Sequence, residues 1–354
     1  MAQKMNKGTI LLTGNTGYIG TVMTARLKKA GYDAVGLDGD WFSGSRLFPV
    51  PEESKPKRQI VKDIRDLDAE DLEGIDAVIH LAGLSNDPLG ELNPRLTDAI
   101  NHRATMRIAE LCKAAGVGRF LFASSCSIYG ISSSNEPINE EGVVSPITAY
   151  AKAKVDAERG LARLADGNFH PVFMRNATAY GLSPKLRLDL VVNNLLAWAY
   201  LTGEVVIMSD GTPWRPIVHV QDFCDAFIAA LEAPVEKVHC QAFNVGINEE
   251  NYQVRDIARE IQKVLPESRM KILNTTGPDE RTYRVDFTKI KSALTGFAPQ
   301  WNLRAGIEEL LGAYQRYRLT REDFESSKYF RIRTVKALRA SGELDGELVR
   351  TGSA

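Results

Sequence analysis

The sequence predicts an α/β protein: a doubly wound parallel sheet with a smaller C-terminal α/β domain. Three observations predict it. Short apolar runs alternate with helical patterns through the first half, and that alternation implies parallel pairing. A glycine-rich turn joins the first run to the first helix. Past Gly181 the alternation gives way to helical stretches with short strands between them.

Taken in order, Thr9–Thr13 is an apolar run that ends at glycine. Gly20–Ala30 follows with Val22, Ala25 and Leu27 at helical spacing and stops at Gly31, a residue suited to a left-handed cap. Ala34–Leu37, Ala77–Leu81, Phe120–Ala123 and Pro171–Met174 are further strands, each bounded by turn-forming residues. Thr97–Ala115 reads as one long helix. Beyond Gly181, helices are expected at Leu188–Leu201, Asp222–Glu232, Val254–Leu265 and Gly306–Arg318, with a strand at Val205–Met208. Phe243–Val245 is expected to return to the main sheet. The expected division is a dinucleotide-binding unit over 8–180, rejoined by 216–247, and a second unit over 181–215 and 248–318. The tail 319–354 carries Phe324, Tyr329, Phe330, Ile332, Val335 and Leu338. That is too apolar to float, so it should pack on the body and fray near Gly352.

Composition narrows the function classes. The chain has 354 residues, 44% hydrophobic and 25% charged, which excludes disordered and fibrous classes. A chain of this length buries about three quarters of its unfolded surface and needs no disulfide or metal staple. Net charge is −1, so neither nucleic acid nor an anionic membrane is an expected partner. No apolar run reaches the length of a membrane span, and none near the N-terminus suits a signal sequence. Cys112, Cys126, Cys224 and Cys240 are scattered without metal-site spacing. They read as reduced thiols of a cytoplasmic protein without a bound metal.

Gly14-Asn-Thr-Gly17-Tyr-Ile-Gly20 follows the first strand and opens the first helix. In that context one glycine permits the tight turn, one admits a diphosphate to the backbone, and one lets helix and strand pack closely. The helix N-terminus then offers free N–H groups to the phosphates. Asp38 ends the second strand, where a carboxylate accepts both ribose hydroxyls of NAD and repels the 2′-phosphate of NADP. Asp40 competes for that role. Asp63 and Ile64 are candidates for the adenine end, with a plain surface acid as the other reading of Asp63.

Tyr150 and Lys154 are four residues apart and share a helix face. Ser145 and Pro146 suit the start of that helix as cap and first residue. A neighbouring ammonium stabilises phenolate, so Lys154 is expected to draw Tyr150 below its ordinary value near 10. Ser124-Ser125-Cys126-Ser127 follows the Phe120–Ala123 strand at the carboxyl edge, where α/β sheets bind ligands. A serine hydroxyl there can hold a substrate hydroxyl beside the phenol.

Together these residues resemble the extended short-chain dehydrogenase/reductase family, specifically its NAD-dependent nucleotide-sugar epimerases and dehydratases. The shared motifs are GNTGYIG, Asp38, His80–Gly83 (HLAG), Ala123–Gly130 (ASSCSIYG), Tyr150 with Lys154, and Arg175–Gly181 (RNATAYG). The resemblance spans about residues 8–315 and implies a Rossmann-type sheet. It implies a cofactor set of Gly14, Gly17, Tyr18, Ile19, Gly20, Asp38, Asp63, Ile64, Leu81, Ala82, Gly83, Tyr150 and Lys154. Tyr150 would be the acid/base, Lys154 its activator and ribose ligand, and Ser125 the substrate-orienting hydroxyl. Ser127, Asn176, Asn194, Leu195, Arg215 and Arg281 would face the sugar nucleotide, the two arginines by forks suited to phosphate. Surface ion pairs for the arginines and a loop-capping role for Asn176 remain the other readings.

Two departures refine the expectation. The family's 4,6-dehydratases carry an Asp-Glu pair after the catalytic hydroxyl, where this chain has Cys126 and Ser127. Without that carboxylate pair, elimination of water is disfavoured. After HLAG the chain reads Leu84-Ser-Asn-Asp-Pro88, without the basic residue of some galactose epimerases. The expected activity is epimerisation through transient oxidation at C4. Net dehydrogenation, reduction or 4,6-dehydration with the same residues are the alternatives. A homodimer through 97–115 and 150–164 is a family expectation.

Overall fold

In the computed structural model, which describes residues 6–131, 136–275 and 282–351, the chain forms three sheets. The main one has seven strands: β1 (Thr9–Thr13), β2 (Asp33–Asp38), β3 (Arg58–Val61), β4 (Ala77–His80), β5 (Arg119–Ser125), β6 (His170–Asn176) and β10 (Ala242–Val245). Their order is β10-β6-β5-β4-β1-β2-β3, and every pair is parallel. The chain winds outward from β1 to β3, then returns to build the other half from β4. The order therefore reverses between β1 and β4, and a ligand crevice belongs outside their carboxyl ends.

Side-chain alternation explains why the sheet is covered on both faces. Ile10 and Leu12 of β1 enter one core with the helices Tyr18–Ala30 and Val220–Glu232. Leu11 enters the opposite core with Ala104–Ala114 and Ala149–Leu164. Leu11 and Leu12 are fully buried, each gaining about 2 kcal/mol from removal from water. A third core joins the helices Val191–Thr202, Val254–Val264 and Leu303–Arg316. Against it lie two small sheets. One pairs β7 (Thr178–Tyr180), β9 (Trp214–His219) and β11 (Asn251–Gln253); the other pairs β8 (Glu204–Ile207) with β12 (Arg269–Ile272).

Most expected elements are present, and three differ for identifiable reasons. The first helix begins at Tyr18, inside the glycine turn, and ends at Gly31, whose φ of 99° is left-handed. The helix bearing Tyr150 starts after Thr148, not at Ser145: the Thr148 hydroxyl accepts from Ala151 N at 3.1 Å and so caps it. The single helix expected over 97–115 is instead built from Pro94–Asp98, a π-helical segment Ala99–Arg103 and Ala104–Ala114. That segment carries Asn101, which accepts from Leu84 N at 2.7 Å and donates to Leu84 O at 3.0 Å. It thereby fixes the loop after β4.

The tail packs back as expected. Phe324, Tyr329, Phe330 and Val335 are buried, and Leu338 packs against the second core. Gly352 lies outside the described residues.

Candidate active site

The glycine turn owes its shape to backbone crowding. Gly14 has φ 76°, and a Cβ there would stand 2.9 Å from Ala82 N. At Gly20 a Cβ would meet Gly14 O at 2.1 Å, so only glycine lets the helix start this close to β1. Thr13 and His80, paired across β1 and β4, tie the two strand ends: Thr13 Oγ1 and His80 Nδ1 are 2.7 Å apart. Burial holds the imidazole neutral, lowering it to about 3. Thr13 Oγ1 in turn accepts from Ala82 N at 3.2 Å.

Between these ends lies one cleft. Gly14, Gly17, Tyr18, Ile19, Gly20, Asp38, Asp63, Ile64, Leu81, Ala82 and Gly83 all line it. Asp38 accepts from Thr16 N at 3.1 Å and from Asp40 N at 2.8 Å, so both carboxylate oxygens are oriented at the rim. Burial raises its pKa, and these two amides oppose the rise. Asp40, the competing candidate, is not among the lining residues. Asp63 lines the cleft, but its carboxylate is held by Arg65 at 2.7 Å and caps the turn that follows.

Tyr150 and Lys154 project from one face of their helix toward the end of β5. Lys154 Nζ donates to Ala123 O at 2.6 Å and stands 5.7 Å from the centre of the Tyr150 ring. Burial lowers Lys154 to about 8. The expected acidification of Tyr150 by Lys154 is absent here: burial, then the Asp87 carboxylate, push the phenol up to about 12. The Ser125 side chain and Arg187 pull it the other way. Lys154 is engaged by the Ala123 carbonyl and does not figure among the groups that shift the phenol.

The remaining sequence candidates are dispersed around this centre. Ser125 ends β5 and caps the turn Cys126–Tyr129, accepting from Ser127 N at 3.1 Å. Ser127 Oγ is buried without a hydrogen-bond partner, as is Asn176 Oδ1. Asn176 Nδ2 bonds the carbonyls of Ser124 and Met174, each at 2.9 Å, so one end of its amide caps strands while the other is open. Cys126 is a core residue; its Sγ donates to Arg175 O at 3.2 Å, and burial raises its pKa far out of the working range. Asn194 Nδ2 donates to Leu188 O at 2.7 Å, and the Leu195 side chain is in the third core. Arg215 lies on β9 with Nη1 on Trp214 O at 2.8 Å. Arg281 lies outside the described residues.

Four residues that sequence reading missed complete the cleft region. Arg187 and Arg331 line the cleft itself. Arg187 is forked onto Asp189 at 2.9 and 3.1 Å, and Asp189 also accepts from Asn86 Nδ2 at 2.7 Å. Asp87 acts on Tyr150 from the segment after β4. None sits in a motif, and only the folded chain brings them together.

A glycine cradle at a sheet switch point, a ribose-suited carboxylate and buried cations facing the cleft fit a dinucleotide. The fold and this cleft define an NAD-binding protein of the doubly wound class. The chain belongs to the NAD dependent epimerase/dehydratase family, whose model matches residues 10–246. It is 26% identical over 325 residues to UDP-glucose 4-epimerase of Bacillus subtilis, covering 85% of this chain and 94% of that one. It is 30% identical over 316 residues to UDP-glucose 4-epimerase of Mycolicibacterium smegmatis, covering 84% and 95%. Among solved structures it resembles MoeE5 in complex with UDP-glucuronic acid and NAD, at TM-score 0.75 and 27% identity, covering 87% and 99%. NAD is the cofactor.

Proposed function

We propose that this enzyme epimerises a nucleotide sugar by transient oxidation, at C4 of the hexose, and re-reduction on the opposite face. The observation that carries the reading is the grouping of Tyr150 with Lys154 and Ser125, tied to the cleft by Arg187, which lines it and acts on Tyr150, without the carboxylate pair of the dehydratases at positions 126 and 127. Cys126 is turned into the core and is no substitute for a base. The UDP-glucose 4-epimerases of Bacillus subtilis and Mycolicibacterium smegmatis, both relatives of this chain, support the same reaction and a uridine diphosphate sugar as substrate.

When bound, NAD supplies the hydride acceptor for the first half of the cycle and the donor for the second. Tyr150 takes the proton of the reacting hydroxyl and later returns it. Ser125 holds that hydroxyl against the phenol. The Ser125 side chain and Arg187 oppose the burial that raises Tyr150, and Lys154 would hold the cofactor ribose. Proton transfer of this kind contributes about 10²- to 10⁴-fold to rate. Ser127 and the open Asn176 oxygen would contact the sugar, and Asn194, the Leu195 amide, Arg215 and Arg281 the diphosphate. The protein would work as a homodimer in the cytoplasm.

Incubation with UDP-, dTDP- and GDP-hexoses, read by NMR and by absorbance of reduced nicotinamide, tests the reading. Epimerisation gives a C4 epimer with no lasting change in absorbance. Net oxidation or reduction changes absorbance in proportion to product, and dehydration gives a 4-keto-6-deoxy sugar; either product overturns the proposal.

A further inference from the structure

The cofactor cleft has a wall that the family-matched region does not supply. Arg331 opens the helix Arg331–Ala340, far beyond residue 246, yet it lines the cleft and is only 2% exposed. Its guanidinium stacks on Phe42, 3.9 Å from the ring centre, and Nη1 donates to Ser45 Oγ at 3.1 Å. Among the described residues no carboxylate stands within ion-pair distance of it. Asp38 and Asp189 attract it from further away, and Arg187 repels it. Asp189 is already forked onto Arg187. A buried guanidinium without a paired anion is costly, and the cation–π contact with Phe42 offsets only part of that cost.

The rest of the extension braces the same wall. Arg350 donates to Gly39 O at 3.1 Å and to Asp40 O at 2.7 Å, pinning the loop that leaves Asp38. Tyr329 Oη donates to Arg46 O at 3.1 Å. The tail therefore positions both Arg331 and the loop that Arg331 stacks on.

We propose that Arg331 is a cofactor-binding residue, the counter-charge that the C-terminal extension delivers to the diphosphate of NAD. The inference rests on NAD occupying this cleft. Its place along the cleft selects the diphosphate. Arg331 lines the cleft together with Asp38, the ribose carboxylate, and with Arg187, and feels the charge of both, while Arg187 acts on Tyr150. What lies between the adenosine ribose and the reacting centre in a dinucleotide is its diphosphate. A planar fork suits phosphate oxygens. An anion placed there would also relieve the repulsion between the two guanidinium groups. A 2′-phosphate is disfavoured, because Asp38 holds that end with negative charge.

Calorimetric titration of full-length protein freed of bound dinucleotide tests this, with NAD, ADP and adenosine as probes against wild type, Arg331→Met and Arg331→Lys. Arg331→Met should weaken NAD and ADP at least tenfold and adenosine less than twofold. Its melting temperature without ligand should equal or exceed that of wild type, because an unpaired buried charge is gone. Arg331→Lys keeps the charge without the fork; it should weaken ADP two- to tenfold, and it keeps the test open if the Met variant does not fold. Equal losses for ADP and adenosine would mean that Arg331 only braces the wall, and unchanged ADP binding would mean that it makes no contact; either overturns the proposal. Wild-type protein that fails to bind NAD would overturn the cofactor reading instead.

Discussion

Tyr150 is held between opposing influences: burial and Asp87 keep its proton on, while Ser125 and Arg187 favour its loss. If the phenol is the acid/base, Tyr150→Phe keeps the ring and should lower kcat about 10³-fold with little change in NAD affinity; stopped-flow or NMR turnover checks this. Lys154 gives a prediction about pH. Its folded-state value of about 8 lies below the ordinary 10.5, so the unfolded chain holds the proton more tightly and burial of the charge destabilises the fold at neutral pH. That penalty is complete below pH 8 and fades as pH rises toward 10.5. The stability of Lys154→Met relative to wild type should therefore fall by about 2–3 kcal/mol between pH 7 and pH 10. Urea unfolding of the cofactor-free proteins measures it, and a difference that does not vary with pH would contradict it. Asp38→Ala should weaken NAD about 10- to 100-fold and NADP less, since hydrogen bonds to a charged group contribute about 1.5–3 kcal/mol each.

At the scale of elements, the glycine turn and the strand-end loop after β4 form one unit. Gly20→Ala would push a methyl group into Gly14 O and Asn15 Cα, at 2.1 and 2.5 Å, which is backbone that cannot yield like a flexible side chain. It should cost at least about 2–3 kcal/mol of stability and abolish NAD binding, by thermal unfolding and titration. This unit was legible because close packing of strand against helix constrains local sequence: three glycines, a strand before and a helix after. The helix start at Thr148 was less so, because Ser145-Pro146 is as good a local signal and only the packed loop decides between them. The π-helical segment at Ala99–Arg103 was hidden altogether, since the bond pair that joins its Asn101 to Leu84 is made only when the loop after β4 packs against it. Arg187, Asp87 and Arg331 were hidden for the same reason. Each is an ordinary charged residue in sequence and becomes part of the cleft only when remote segments meet.

Across the whole molecule, the doubly wound sheet sets the crevice between β1 and β4, and the segments beyond it supply its outer wall. Periodicity made the sheet legible, since Leu11 and Leu12 face opposite cores and both read as apolar. The tail's apolar residues showed that it would pack, though not that it would pack on the cofactor cleft. Hydrogen exchange should therefore slow over residues 331–350 when NAD is added, although this segment lies outside the matched family region.

In the proposed reaction one carbon of a nucleotide sugar gives up a hydride and takes it back within the same active site. A UDP-hexose carrying deuterium at C4, turned over in ordinary water, tests this most directly. The product should be a C4 epimer that retains the deuterium at C4, with none released to solvent. Deuterium lost to solvent, or left on free reduced cofactor in proportion to product, would contradict it.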